Sequence, residues 1–218
     1  MKLRISGITI LFAAVIIIGC SADEVEEKEV LQNKTLPPTN EENGENITEV
    51  LLSDFFLPNG SKAHYKGEGN EFATLDIEVK IINDLYTVVE ENNGGVLLRK
   101  IYRLEADRID LLSGNPINPD EKMPTVAELD NMLPLETYLQ KPFVEGTTFG
   151  DWEIVKTGVD IETPYNFFQD AIVVQMTDPA FINRRYFVAG FGEVKRESIM
   201  IASEGENHIV TSTLEIME

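Results

Sequence analysis

The sequence predicts an all-β domain: an antiparallel meander of about ten strands that forms one curved sheet or two packed sheets, with one short connecting helix. Apolar and polar residues alternate with period two through most of residues 48–218, the period of a strand with one buried face. Turn-forming clusters separate the alternating runs, as in Glu91-Asn92-Asn93-Gly94-Gly95 and Glu204-Gly205-Glu206-Asn207, and supply the positive-φ residues that hairpin loops need. A helical start signal stands apart from this pattern, where Thr125 and Glu128 form a capping box.

Strands are expected at 61–66, 73–81, 85–90, 96–104 and 108–112, and again at 151–156, 159–163, 171–176, 184–189, 193–201 and 208–216. Residues 73–81 show the alternation best. Ala73, Leu75, Ile77, Val79 and Ile81 fall on one face, and Thr74, Asp76, Glu78 and Lys80 on the other. Between the two groups of strands, residues 113–142 lose the alternation and are broken by prolines; the helix begun at Thr125 ends by Pro134. A connection of this length either covers a site or crosses between half-sheets, and the crossover is the expected role.

A faint internal echo favours it. Sliding the chain by 85 residues sets Val88-Val89 on Val173-Val174, and Arg99-Lys100-Ile101-Tyr102 on Arg184-Arg185-Tyr186-Phe187. At nearly the same offset Gly60 and Tyr65 meet Gly146 and Trp152. The domain therefore divides into two candidate halves, 54–112 and 143–216, joined by 113–142.

Residues 1–19 have the layout of a cleavable signal peptide, with Lys2 and Arg4 ahead of an apolar run that is too short to favour a permanent span. Ile17-Ile18-Gly19-Cys20 resembles the lipobox of bacterial lipoproteins, with Ile18 bulkier than the usual small residue. The resemblance implies a diacylglycerol thioether on Cys20, cleavage just before it and further acylation, with palmitate for example, of the new amino terminus. It places the protein outside the cytoplasm, on the outer face of the cell membrane or on an outer membrane where one exists. Two or more acyl chains hold a protein stably where one does not. Residues 20–47 are then the lipidated Cys20 and an acidic tether, rich in Glu and Asn and interrupted by Pro37-Pro38, with a mean span on the order of 30 Å if unstructured. With Cys20 acylated, no disulfide is available, and residues 48–218 must be stabilised by burial alone.

Charge narrows the partners. The chain carries 38 acidic against 18 basic residues, a net charge of −20, and nucleic-acid binding is excluded because it requires a concentrated basic surface. The expected contacts are the membrane, through acyl chains on Cys20, and an envelope protein, glycan or lipid, with the domain monomeric. No cofactor and no metal is called for: His64 and His208 are far apart, and the loop holding Asn115, Asn118, Asp120 and Glu121 lacks the spacing of a calcium hand. Gly67-Glu68-Gly69 and Gly190-Phe191-Gly192 carry too few glycines for a phosphate loop and are expected at tight turns.

Two groups of residues remain as candidate sites. Arg99, Arg103, Arg184 and Arg185, near Tyr102, Tyr186 and Phe187 and with Lys195 and Arg196 adding positive charge, form a possible anion or glycan patch; their alternative is cross-strand pairing with acids. Trp152, Phe167 and Phe168 are possible contacts for an apolar ligand, their alternative being ordinary core. No catalytic residue is assigned.

The segments Asp54-Phe55-Phe56-Leu57-Pro58-Asn59-Gly60, His64-Tyr65-Lys66-Gly67 and Tyr186-Phe187-Val188-Ala189-Gly190-Phe191-Gly192-Glu193-Val194-Lys195 resemble those of uncharacterised extracytoplasmic lipoproteins of Bacillus-type bacteria. That resemblance implies an all-β envelope domain and transfers no activity. The expectation is a non-catalytic domain that binds a ligand or partner; a carboxylate-based envelope hydrolase and a carrier of a hydrophobic ligand such as a lipid are the alternatives.

Overall fold

The computed structural model describes residues 49–218, so the signal segment, Cys20 with its lipobox and the tether lie outside the described residues. Twelve strands form a single sheet. They are β1 (Lys62–Glu68), β2 (Leu75–Ile81), β3 (Tyr86–Asn92), β4 (Leu97–Leu104), β5 (Arg108–Pro116), β6 (Glu136–Gln140), β7 (Thr148–Phe149), β8 (Trp152–Glu162), β9 (Phe167–Thr177), β10 (Phe181–Val188), β11 (Gly192–Met200) and β12 (His208–Met217). One short helix, α1 (Val126–Asp130), lies between β5 and β6.

The strand order is β6-β5-β4-β3-β2-β1-β12-β11-β10-β9-β8-β7, and every pairing is antiparallel. Two meanders of six strands are therefore welded at the centre by β1 and β12. The sheet rolls until its ends approach: Tyr138 on β6 packs edge-on against Phe187 on β10, with ring centroids 5.1 Å apart, and Arg185 reaches Glu136 on β6 at 3.2 Å. One hydrophobic core fills the roll, drawing Tyr65, Val79, Val89, Ile109, Leu139, Ile154, Val174, Val194 and Leu214 from nine strands. The sequence echo falls on this order: Val88-Val89 lies on β3 and Val173-Val174 on β9, while Arg99–Tyr102 lies on β4 and Arg184–Phe187 on β10, six strands apart each time.

Bulges account for most differences from the sequence pattern. The segments expected at 151–156 and 159–163 are one strand, β8, whose register against β9 shifts three times between Ile154 and Ile161. Each added residue reverses the inside-outside alternation and makes one strand look like two. β6 escapes the pattern for the same reason: opposite the consecutive β5 residues Ile109 and Asp110 it carries one extra residue, Tyr138, so that Tyr138 and Leu139 are both buried. The stretch 113–142 is thus no simple linker, because it holds the end of β5, α1 and all of β6; the chain passes between meanders at 141–147. The capping box at Thr125 is present, with Glu128 N donating to Thr125 Oγ1 at 3.3 Å and Thr125 N to Glu128 Oε2 at 2.7 Å. α1 lays Leu129 on the outer face of the sheet against Tyr86, Val88, Ile101 and Leu112, a second small core.

One end of the roll is plugged. A 3-10 turn at Leu52–Phe55 and the following Phe56 and Leu57 are drawn into the core, where Phe55 meets the rings of Phe143 and Phe187 at 5.0 and 6.2 Å. Burying each such ring contributes about 1.5–3 kcal/mol. Gly190-Phe191-Gly192 is the turn that receives this plug. Gly190 N donates to Asp54 O at 2.6 Å, and at Gly192 (φ +72°) a Cβ would stand 2.7 Å from Phe55 O, so glycine is required. At the opposite end Gly69 (φ +94°) leaves room for Ile209 O, which a Cβ would approach to 2.2 Å. Both glycine motifs serve close backbone approach.

Candidate functional site

On several strands the inward alternation passes from apolar residues at the plugged end to charged ones further along. On β10 Phe187 is followed by Arg185 and then Asn183, and on β4 Tyr102 is followed by Lys100, with Leu98 beyond it. The charges close on one another. Arg196 on β11 forks onto Glu91 of β3, with Nη1 to Oε2 at 3.1 Å and Nη2 to Oε1 at 3.0 Å, while its Nε donates to Glu193 Oε1. Lys100 Nζ donates to Glu91 Oε1 at 2.8 Å. Tyr138 Oη donates to Glu193 Oε2 at 2.8 Å, and Tyr65 Oη to the Glu193 carbonyl at 2.7 Å. The network thereby ties β1, β3, β4, β6 and β11 together across the interior.

Burial and pairing compete at each group. Burial pushes the Glu91 carboxyl up, but Arg196 and Lys100 outweigh it and hold it well below the usual carboxylate range. At Lys100 burial, aided by repulsion from Arg196, prevails over Glu91 and Glu193 and lowers the ammonium pKa. Burial opposes the charge of Arg196 too, yet Glu193 and Glu91 keep it firmly protonated. Desolvation first, then the Glu193 charge, raises the Tyr138 and Tyr65 phenols, so both remain neutral donors.

Above this network lies Arg185. Its guanidinium carbon sits 4.0 Å from the Trp152 ring centroid and 4.9 Å from that of Tyr138. Nη2 donates to Glu136 Oε1 at 3.2 Å, and Nη1 is buried with no hydrogen-bond partner among the described residues. An unpaired buried donor costs about 1–3 kcal/mol, a cost that the flanking rings offset by about 0.5–2 kcal/mol through cation–π attraction. Arg185 borders a cavity of about 320 Å³ that also touches Lys100, Trp152, Asn183, Arg196, Ser198 and Ser212. A second space of about 270 Å³ lies across the row formed by Lys100, Arg196 and Ser212, and is edged by Asn70, Phe72, Asn93 and Leu98. Toward the plug only about 30 Å³ remains open between Phe55, Phe56, Tyr102 and Glu193.

A larger hollow of about 680 Å³ lies on the outside of β1, β2 and β12. Among its polar groups His64 Nδ1 pairs with Asp76 Oδ1 at 2.7 Å and Glu90 pairs with Lys80 and Arg99 at 2.9 and 2.8 Å, and the hollow leaves no buried side-chain group unsatisfied among the described residues. The interior cavity, though smaller, is the candidate site.

The four arginines expected to form a patch separate into two pairs. Arg99 and Arg103 share the outer face of β4 and clamp the 117–135 segment to it. Arg99 donates to Glu121 O at 3.0 Å, Lys122 O at 3.1 Å and Glu90 at 2.8 Å; Arg103 donates to Met132 O at 3.4 Å and pairs with Glu105 at 2.7 Å. Arg184 stands at the rim of the cavity, bonded to Gln175 at 2.7 Å and 3.5 Å from Glu197, and Arg185 lies within it. The three aromatic residues also part. Trp152 supports Arg185, Phe168 is buried beside Phe191, and Phe167 is 55% exposed. Sequence reasoning did not single out Glu91, Lys100, Tyr138 or Glu193. The signal available for two of them was a charge in phase with apolar neighbours: Lys100 with Leu98 and Tyr102, and Glu91 with Val89.

No family model matches the chain, and no curated protein matches it. Two solved structures are similar to it. One is a presumed exported protein with a YmcC-like fold from Bacteroides fragilis, 15% identical, aligned over 75% of this chain and 99% of its own with a TM-score of 0.47. The other is a presumed lipoprotein from Parabacteroides distasonis, 15% identical, aligned over 78% of this chain and 99% of its own with a TM-score of 0.43. Neither organism is of the Bacillus type.

Proposed function

We propose that this chain is an exported lipoprotein, held by acyl chains on Cys20, whose β domain binds a small polar ligand inside the rolled sheet without transforming it. The anchor rests on the basic, apolar and Ile17-Ile18-Gly19-Cys20 segments in sequence order. The binding role rests on one observation: Arg185 is fixed between two rings beside a cavity, with a buried donor left over.

The geometry favours binding over hydrolysis. A general acid or base works best with a pKa near the operating pH, and Glu91 is held far below it while Glu193 is occupied by Arg196 and Tyr138. A lipid carrier needs an apolar chamber, and the apolar end of this roll is filled by Phe55, Phe56 and Phe187.

Each half has its test. Mass spectrometry of the protein from its native host is expected to find an acylated Cys20, and Cys20→Ser is expected to release the protein from the membrane fraction; retention of that variant overturns the anchor. Trp152 is the chain's only tryptophan, so its fluorescence reports directly on the cavity. Polar ligands are expected to change Trp152 emission in the wild type and not in Arg185→Ala, and equal responses in both proteins overturn the site.

A further inference from the structure

We propose that the ligand is a carboxylate-bearing sugar, a monoanion that takes Arg185 by displacing Glu136. The proposal rests on the cavity being a binding site, as above, and adds the chemical class it selects.

The charge comes from counting pairs around the cavity. Lys100 and Arg196 are committed to Glu91 and Glu193, and Arg184 is engaged by Gln175 with Glu197 nearby. Arg185 differs. Its one hydrogen bond runs to Glu136, the more exposed partner, whose side chain is 37% accessible against 21% for the arginine, and its Nη1 is unused. A carboxylate entering beside Nη1 can span Nη1 and Nη2 in the two-bond geometry that a guanidinium fork favours, while Glu136 swings into water. Trp152 and Tyr138 already hold the guanidinium, so little side-chain freedom is lost on binding.

The same count disfavours a phosphate dianion. Its second charge would require Lys100 or Arg196; withdrawing Arg196 removes the cation paired with buried Glu193, and withdrawing Lys100 leaves buried Glu91 with Arg196 alone. A fatty acid shares the carboxylate but finds polar groups where its chain would lie, at Asn183, Ser198 and Ser212, the last with its Oγ already donating to Ala73 O at 2.6 Å and left to accept. Those groups match the hydroxyls of a sugar. Beyond them the second space offers Phe72, an aromatic ring 55% exposed, with Asn70 and Asn93 beside it, so a second sugar ring could stack there. The main cavity, about 320 Å³, lies near the lower end of the range of about 300–1,000 Å³ for small-molecule sites, which suits one ring per chamber.

The test titrates the full mature protein in detergent with galacturonic acid, its disaccharide, methyl galactoside and inorganic phosphate, following Trp152 emission and calorimetry. Galacturonate is expected to bind, its disaccharide more tightly, and methyl galactoside about tenfold or more weaker, the equivalent of one lost charge-assisted hydrogen bond. Arg185→Lys is expected to weaken galacturonate at least about tenfold, since a lysine cannot present a planar fork. Glu136→Gln is expected to strengthen it several-fold by removing the competing carboxylate, leaving methyl galactoside unchanged. Arg185-dependent binding of phosphate or of methyl galactoside in preference to galacturonate overturns the ligand class and leaves the site intact. Failure of galacturonate to bind also overturns the class, and galacturonate affinity indifferent to both substitutions overturns the site as well.

Discussion

The two ends of the rolled sheet are built from the same strands, yet they solve the problem of filling an interior in opposite ways. At one end a detached piece of chain, Leu52 to Leu57, is inserted as a stopper, and its rings pack on Phe143 and Phe187 until almost no space is left. At the other end the interior is filled by Arg196, Glu91, Lys100 and Glu193, which satisfy one another, and by Arg185, which is not fully satisfied. Apolar packing tolerates no vacancy without a loss of contact energy, whereas a polar network permits one if a solute can occupy it. The difference separates the part of the domain filled by apolar packing from the part where, on the proposed function, the ligand would bind.

Substitutions at the two ends test this division. The largest losses are expected from Phe55→Ala and Arg196→Met. The first opens a cavity in the plug and costs about 3–5 kcal/mol; the second takes from buried Glu193 its cationic partner and from Glu91 one of its two, and costs a similar amount, about 3–5 kcal/mol. Chemical denaturation measures both. Their ligand responses should diverge, with Phe55→Ala keeping the Trp152 response and Arg196→Met losing it. An Arg196→Met variant of wild-type stability would break the comparison.

A smaller loss, about 1–3 kcal/mol, is expected from Gly192→Ala, which forces a Cβ against Phe55 O at a positive φ and loosens the plug. Acid should act at the polar end. Glu91 titrates lower in the folded protein than in the unfolded chain, so as pH falls the unfolded state takes up the proton first. The stability that Glu91 contributes is complete above the ordinary carboxylate range and is lost as pH drops through that range toward its depressed folded value. Trp152 emission followed against circular dichroism should therefore report loosening of the polar end at or before loss of the sheet, and a reversed order would contradict the division. Thr125→Ala, which removes the cap of α1 on the outer face, should cost about 1 kcal/mol and leave binding unchanged. Smallest of all, Arg185→Ala should alter stability by no more than about 1 kcal/mol, because removing the cation–π contacts also removes the unpaired donor.

The alternation of residues revealed the sheet, its direction of pairing and most of its strands, because period two survives wherever the ladder is regular. It failed at β6 and within β8, where bulges invert the phase, and it missed β7, which is two residues long. The site was partly legible. Arg185 and Trp152 each drew attention in the sequence, but on separate grounds, and their contact is made only when β8 and β10, separated in the sheet by β9, curve toward each other. Arg99 and Arg103 drew the same attention and point the other way, since periodicity tells which residues share a face and not which face is inside. The inward charges at Glu91 and Lys100 had the strongest local signal, a break in an otherwise apolar phase, and it is best read as a prompt to look for partners on distant strands.

The weld at the middle of the sheet has a temporal side. β12, the last of the described strands, is also the one that completes β1 and β11 and joins the two meanders, with Lys62 and Glu218 exchanging backbone hydrogen bonds at its end. Until those residues are in place each meander has an unpaired edge, and joining the two requires contacts across most of the domain's length, the kind that form slowly. A chain of this topology is therefore expected to settle into shape more slowly than one of equal length built from local pairs, a property that the proposed export would use.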